Sequence, residues 1–108
     1  MDVVIDRFDV YLVSLDPAVG AEIRKSRPCV VVSPNEIHRN LRTALVAPMT
    51  TTLRGYPTRV SCKFAGKQGE IACDQIRAVD YSRLVKRLGR IDGSAATRIV
   101  RTLVRMFS

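Results

Sequence analysis

The stretch Arg27-Pro28-Cys29-Val30-Val31-Val32-Ser33-Pro34 decides the fold. Its apolar run, 29–32, is too short for a helix and is typical of a buried strand. Pro28 fixes the backbone just after Arg27, where this strand begins. The residues before it, 16–27, form a long loop, and a loop of that length in a small domain is usually functional or disordered. We therefore predict that Arg27 is held where a loop meets a rigid sheet, a position that suits phosphate binding.

Turn signals divide the rest of the chain into further short strands. The predicted strands are Phe8–Leu15, Cys29–Val32, Thr43–Met49, Thr58–Phe64 and Glu70–Val79, the last either continuous or kinked near Asp74. Between and after them we predict a helical turn over 35–40, a turn at Gly66–Gly69, and an irregular segment or sixth strand over 84–91. At 108 residues the chain is long enough for one domain, residues 1–108, with a small core. Several short strands followed by one helix predict a mainly β fold, a small twisted antiparallel barrel with a C-terminal helix.

The C-terminal helix is predicted to begin at Ala95, with Asp92 or Ser94 as its cap. The apolar positions that share one face are Ala96, Ile99, Val100, Leu103, Val104 and Phe107, and those on the opposite face are Arg98, Arg101 and Arg105. This spacing indicates an amphipathic helix that packs on the sheet. The basic face is either solvated or a contact with nucleic acid.

The charge of the chain favours a polyanionic partner. Lys and Arg number 18 against 10 Asp and Glu, which gives a formal net charge of +8, and 14 of the cations are Arg. Lys would make a protein soluble as well as Arg does, so the excess of Arg indicates a nucleic-acid partner. The alternative is a basic composition with a solvated surface, because net charge reports on association and not on fold.

Three cysteines, at 29, 62 and 73, predict a reducing compartment. An odd number without CxxC or Cys-His spacing argues against a disulfide framework and against a zinc site. The N-terminal residues 1–7 lack the pattern of a signal peptide, and no apolar run approaches the length of a membrane span. We therefore expect a cytoplasmic protein with no membrane contact.

A series of short motifs along residues 7–91 resembles one known family. The matching pieces are Asp9-Val10-Tyr11-Leu12-Val13, Leu15-Asp16-Pro17 with Gly20 and Glu22, Arg27-Pro28 with the Val run and Ser33-Pro34, Val46-Ala47-Pro48-Met49-Thr50-Thr51, Tyr56-Pro57, Asp74-Gln75-Ile76-Arg77-Ala78-Val79-Asp80, and Arg83-Leu84 with Lys86-Arg87-Leu88-Gly89. Together and in this order they resemble the MazF/PemK family of toxin endoribonucleases from type II toxin–antitoxin systems.

The resemblance implies a fold, an activity and partners. Family members have a compact barrel of the CcdB/MazF type, form homodimers and need no cofactor. They are mRNA interferases: they cut single-stranded RNA at short sequences without a metal, leaving 2′,3′-cyclic phosphate and 5′-hydroxyl ends, and so inhibit translation and growth. A cognate MazE-like antitoxin neutralises them by laying an extended, often acidic segment over the active groove.

The resemblance also implies which residues act. The catalytic pair corresponds to Arg27 and Thr50. The chemistry agrees, because an arginine fork binds two phosphate oxygens and a hydroxyl donates another hydrogen bond as negative charge develops. Guanidinium stays protonated at ordinary pH, so Arg27 stabilises charge or donates a proton rather than acting as a base. Glu22 and Asp74 are the candidate supporting carboxylates, either as a base or, for Glu22, as a loop anchor.

Six further residues are candidates for RNA binding, and all but Gln75 have a structural alternative. They are Arg24, Lys25, Thr51, Tyr56, Gln75 and Arg77. Tyr56 either stacks on a base or packs its loop, and Arg77 either contacts RNA or pairs with Asp80. The single histidine, His38, is expected to be a surface residue rather than a catalytic one.

One departure from the family pattern concerns Asp74. One branch of the family has an arginine two residues earlier, where this chain has Ala72, so an Arg–Asp pair of that type is not expected.

Two other functions remain open on the sequence. A CcdB-like toxin that binds gyrase has a similar barrel but uses a Trp near its end, and this chain has none. A passive basic RNA-binding module usually has more aromatic residues than 6%.

Overall fold

Seven antiparallel strands and two helices form the fold in a computed structural model that describes residues 4–108. The strands are β1 (Asp9–Ser14), β2 (Ser26–Val31), β3 (Thr43–Thr50), β4 (Arg59–Phe64), β5 (Lys67–Ala72), β6 (Arg77–Asp80) and β7 (Leu84–Arg90), and the helices are α1 (Asn35–Leu41) and α2 (Gly93–Met106). Part of the segment used in the signal-peptide argument, residues 1–3, lies outside the described residues. Neither helix has the length and apolar character needed to cross a membrane.

The sheet is organised around β3, which has three partners. The strands lie in the order β4-β5-β3-β2-β1-β7, and β6 pairs with β3 outside this path. The first half of β3 pairs with β6, its middle with β2, and its last two residues with β5. This sharing lets one sheet curl around its core in a way that is consistent with the predicted barrel.

The central strands are buried on both faces, which explains the continuous apolar run in β2. Alternate residues point to opposite faces of a strand. Val30 belongs to one apolar cluster, together with Ile71 and Ile99, while Val31 belongs to a second cluster with Val13. A strand buried on both sides has no solvent face on which to place polar residues.

Helix α2 covers the first cluster. Its cap is Asp92, whose Oδ1 accepts a hydrogen bond from the backbone N of Ala95 at 2.8 Å. The buried positions are Ala95, Ile99 and Thr102. The predicted apolar face was therefore partly wrong, because Val104 and Phe107 are 61% and 74% exposed. The three predicted basic positions are exposed as expected.

Three local predictions also need correction. The predicted strand over 70–79 is broken by a turn of 3-10 helix at Cys73–Gln75, which separates β5 from β6. The β4–β5 turn consists of Ala65 and Gly66, both with positive φ, and Gly69 lies within β5. His38 is buried rather than on the surface. Its Nδ1 lies 3.2 Å from the Ser33 hydroxyl, so its side chain connects α1 to the segment that follows β2.

Candidate active site

The two predicted catalytic residues lie at the same end of neighbouring strands. Arg27 is the second residue of β2 and Thr50 is the last residue of β3. The β2–β3 ladder is paired as far as Cys29 and Pro48. Arg27 and Thr50 each lie two residues beyond this pair, so an extension of the same register places them opposite one another.

A groove of about 640 Å³ opens beside these two residues. It is lined by Ala21, Glu22, Ile23, Arg24, Lys25, Arg27, Thr50, Thr52, Arg54, Tyr56, Arg59, Asp74 and Gln75. Five of the lining side chains are cationic and two are carboxylates, so the groove favours an anion. Eight of the ten predicted site residues line this groove; Thr51 and Arg77 do not.

The loop between β1 and β2 holds Arg27 through its own hydrogen bonds. The Nε of Arg27 donates to the backbone oxygen of Arg24 at 3.2 Å, which orients the guanidinium. Glu22 accepts from the backbone N of Val19 at 2.6 Å and so anchors the loop. Gln75 accepts from the backbone N of Ile23 at 2.8 Å and fixes the loop to the far wall of the groove. Glu22 thus has a loop contact of the kind that the sequence left open, whereas the structural contact of Gln75 was not predicted.

Sequence reasoning missed Arg59, which forms the densest polar cluster of the groove. Its Nε and Nη2 donate to the two carboxylate oxygens of Asp74 at 2.8 and 3.3 Å. Its Nη1 lies 3.6 Å from Oε1 of Glu70, and the two side chains of this second pair are 8% and 5% exposed. Arg59 lies opposite Ala72 in the β4–β5 ladder. Asp74 therefore has an arginine partner from the neighbouring strand rather than from position 72, and only the β4–β5 register could have revealed it.

The Arg59 cluster also positions the loop after Thr50. Glu70 accepts hydrogen bonds from the backbone N atoms of Arg54 and Gly55 at 2.9 and 2.8 Å. Asp74 accepts one from the Thr58 hydroxyl at 3.1 Å. The guanidinium of Arg59 lies 5.2 Å from the ring centroid of Tyr56, a cation–π distance. The middle of the β3–β4 loop and its end at Thr58 are thus fixed to buried or paired charges.

These contacts shift the pKa values of the three charged groups. The backbone N–H of Arg54 is the main cause that lowers the pKa of Glu70, since its effect and that of Gly55 outweigh the opposing effect of burial. Burial acts to raise the pKa of Asp74, but the hydrogen bonds from Arg59 and Thr58 lower it overall. The hydrogen bond to Asp74 raises the pKa of Arg59. All three groups are therefore ionised at neutral pH.

The family of the chain follows from comparison with known proteins. A family model described as "PemK-like, MazF-like toxin of type II toxin-antitoxin system" matches residues 6–107. The chain belongs to this family. It is 33% identical to endoribonuclease PemK of Escherichia coli over 80% of this chain and 69% of PemK. It is 30% identical to endoribonuclease EndoA of Bacillus subtilis over 89% of this chain and 88% of EndoA.

Solved structures of other MazF-like toxins have the same fold. MazF of Deinococcus radiodurans superposes with a TM-score of 0.86, at 24% identity and 98% coverage of both chains. A mycobacterial endoribonuclease in complex with its cognate antitoxin gives 0.81, at 23% identity and coverage of 95% and 94%. The predicted family and the mainly β, barrel-type fold with a C-terminal helix are confirmed.

Two predicted RNA-binding residues of this MazF-like toxin lie outside the main groove. Thr51 lines a second pocket of about 370 Å³, and this pocket is also lined by Arg27 and Thr50. Arg77 lines a third cavity on the other side of Gln75, and its Nη1 donates to the backbone oxygen of Leu15 at 3.1 Å. Among residues 4–108, Arg77 forms no ion pair with Asp80, so that alternative is wrong; Asp80 instead caps the following turn through the backbone N of Ser82.

The cysteines of the toxin are parts of its core. All three are free and buried, as predicted for small apolar residues. Burial raises the pKa of Cys29 to about 12 and that of Cys73 to about 11. Thiols with such values are protonated at neutral pH and do not act as nucleophiles.

Proposed function

We propose that this endoribonuclease toxin cuts single-stranded RNA, selecting short sequences, at a phosphate held between Arg27 and Thr50. The cut needs no metal and leaves a 2′,3′-cyclic phosphate and a 5′-hydroxyl. The observation that carries the proposal is the placement of these two side chains at facing strand ends beside a basic groove. Cleavage of mRNA in this way stops translation and growth.

The hydrogen bonds around the two residues support this assignment. Arg27 uses Nε to fix its orientation, and within residues 4–108 no acceptor binds its two terminal nitrogens. These nitrogens are therefore available to two phosphate oxygens at once. The Thr50 hydroxyl oxygen accepts from the backbone N of Thr52 at 3.1 Å, which leaves its own proton free to donate. Both groups thus present donors to the same oxyanion.

The reaction begins when the ribose 2′-hydroxyl attacks the neighbouring phosphorus in line and gives up its proton to water. As this bond forms, negative charge grows on the phosphate oxygens, and the bond to the 5′-oxygen of the next nucleotide breaks. This oxygen takes up one proton from water and leaves as the 5′-hydroxyl, so the step has no net change in protons. Each donor that is already aimed at this charge lowers the barrier by roughly 3 kcal/mol in a preorganised site. Because only RNA has the attacking hydroxyl, DNA is not a substrate.

The two carboxylates have supporting roles in this proposal. Glu22 anchors the β1–β2 loop through Val19 and so sets the position of Arg27. Asp74 is held ionised by Arg59, and its lowered pKa makes it a weak proton acceptor. We therefore assign it to the orientation of Arg59 rather than to proton transfer.

The partners follow from the charge of the groove and from the family. We assign Arg24, Lys25 and Tyr56 to the RNA backbone and bases, because they are exposed along the groove. A cognate antitoxin that covers the groove with an acidic segment suits the same charges, and relatives have been solved as MazE–MazF complexes. The proposal also includes a homodimer that acts in the cytoplasm.

The test compares the purified chain with two arginine variants. Single-stranded RNA is incubated with each protein and excess EDTA, and the ends of the products are identified. We expect cyclic phosphate and 5′-hydroxyl ends from the unmodified chain, loss of cleavage in Arg27→Ala, and full cleavage in Arg105→Ala, which removes an equal charge from α2. Intact RNA together with trapped gyrase–DNA complexes would replace the proposal with a gyrase-binding toxin. RNA binding without cleavage would replace it with a passive module.

A further inference from the structure

Arg27 and Thr50 lie between two cavities of opposite character. Both residues line the basic groove and also the second pocket of about 370 Å³. A phosphodiester held between them has a nucleoside on each side. We propose that this second pocket, lined also by Met49, Phe64 and Leu88, binds the base next to the cleaved phosphate and so selects that base. The inference rests on the proposed ribonuclease function.

The lining of the pocket suits a flat, largely apolar group. Met49 and Cys62 form part of its lining and are only 8% and 6% exposed. Phe64 is half-buried beside them, and Leu88 is 38% exposed on β7. Bases bind single-strand-specific proteins by stacking on aromatic rings, which is worth a few kcal/mol per base, or about 10-fold in affinity at the low end. A volume of 370 Å³ is within the usual range of small-ligand pockets.

A polar group at the rim can read the edge of such a base. Lys67 and Gln68 line the pocket from the first two residues of β5 and are exposed. Lys67 lies directly opposite Phe64 in the β4–β5 ladder, so its side chain is on the same face as the ring. An ammonium group offers donors to the acceptors on a base edge. Gln68 is paired with Lys63, so its side chain leaves the strand on the other face. The pocket therefore has one stacking wall and, beside it, one group that can discriminate.

Close backbone contacts hold the pocket in shape. A Cβ at Gly89 would lie 3.3 Å from Cζ of Phe64, so the absence of a side chain there lets the ring lie against β7. A Cβ at Gly69 would lie 2.7 Å from the backbone oxygen of Thr50, so β5 approaches the catalytic strand end closely. The ring of Phe64 is therefore held against β7, and Thr50 is held against β5, the strand that pairs with β4.

The test maps cleavage sites on a mixed pool of single-stranded RNA for the unmodified chain and for Phe64→Leu and Lys67→Ala. Lys63→Ala is the matched control, because Lys63 is exposed on β4 and does not line the pocket. We expect the base preference to relax at one position adjoining the cut, by about 10-fold for Phe64→Leu, and to stay unchanged at the others. Lys67→Ala changes an exposed residue at the hairpin end and keeps the test valid if Phe64→Leu unfolds.

Three results would overturn the inference without touching the ribonuclease proposal. One is cleavage by both variants at the same sites as the unmodified chain. Another is an equal loss of preference at every position, which indicates a general defect. The third is a change in oligomeric state with unchanged sites, which assigns the pocket to a protein interface. If the unmodified chain cuts no RNA, the proposed function itself fails.

Discussion

Replacement of Arg59 by Met should destabilise the protein by about 3 kcal/mol, the lower end of the range for breaking a buried ion pair. Met keeps most of the side-chain volume but removes the only cation within 4 Å of Glu70 and Asp74 among the side chains that the structure describes. Because Glu70 keeps its two backbone hydrogen bonds, we expect the loss of stability to lie at the lower end of that range. Because small domains have total stabilities of roughly 5–15 kcal/mol, this loss is large but leaves the chain folded.

Urea unfolding measures the effect. With a slope of about 1.5 kcal/mol per molar urea, the midpoint should fall by about 2 M. The double variant Arg59→Met with Glu70→Gln should lose less than the sum of the single losses, since it leaves one buried charge fewer without a partner. Additive losses, or a loss below 1 kcal/mol in Arg59→Met, would refute the idea that Arg59 compensates these carboxylates.

The stability that comes from the ionised forms of Glu70 and Asp74 should depend on pH with a definite sign. The folded-state pKa values of Glu70 and Asp74 are lowered, so their contribution to stability is present above their ordinary values of 4.5 and 3.8 and is lost as pH falls through the folded values. The difference between the unmodified chain and Arg59→Met should therefore be largest near neutral pH and shrink below about pH 4. A difference that grows in acid would contradict this account.

Three further predictions concern catalysis, binding and folding. Thr50→Val, which keeps the shape but removes the hydroxyl, should lower kcat by about 100-fold with little change in KM, and an unchanged kcat would exclude the hydroxyl as a donor. The affinity for single-stranded RNA should fall steeply with salt. If Arg24 and Lys25 each contact one phosphate, the double variant Arg24→Ala with Lys25→Ala should reduce the slope of log K against log salt by about 1.4. An unchanged slope would place both residues away from the RNA backbone. Asp92→Ala should cost about 1 kcal/mol of stability, measured by thermal unfolding, because it removes the cap of α2, and Ser94→Ala should be nearly neutral.

The sequence predicted the strands wherever a pattern was local. The β2 strand was found because its valines form a continuous run, and the cap of α2 was one of two candidates because Asp precedes an apolar period. A kink was predicted near Asp74, but a complete break at Cys73–Gln75 was not, since apolar residues continue on both sides of it. His38 was placed on the surface because its polar neighbours gave no sign of the buried contacts with Ser33 and Ile5.

The same distinction between local and long-range contacts applies to the candidate site. Arg27 and the loop before it were identified from neighbouring residues in the chain and from a family resemblance. Arg59 was missed because its partners are 11 and 15 positions away, and the contacts depend on how β4 and β5 are aligned. The second pocket was also missed, because its residues come from five strands and from the β3–β4 and β4–β5 loops. Contacts of this kind depend on strand order, which no local pattern encodes.

Strand β3 has a consequence for how sequences of this kind can change. Its three partners attach to successive parts of one eight-residue segment. Inserting or deleting a single residue there would turn every later side chain to the opposite face, and Thr50 would swap places with Met49. Length changes should accumulate instead in the connections on either side, so relatives with different loop lengths should still keep the same number of residues between Thr43 and Thr50.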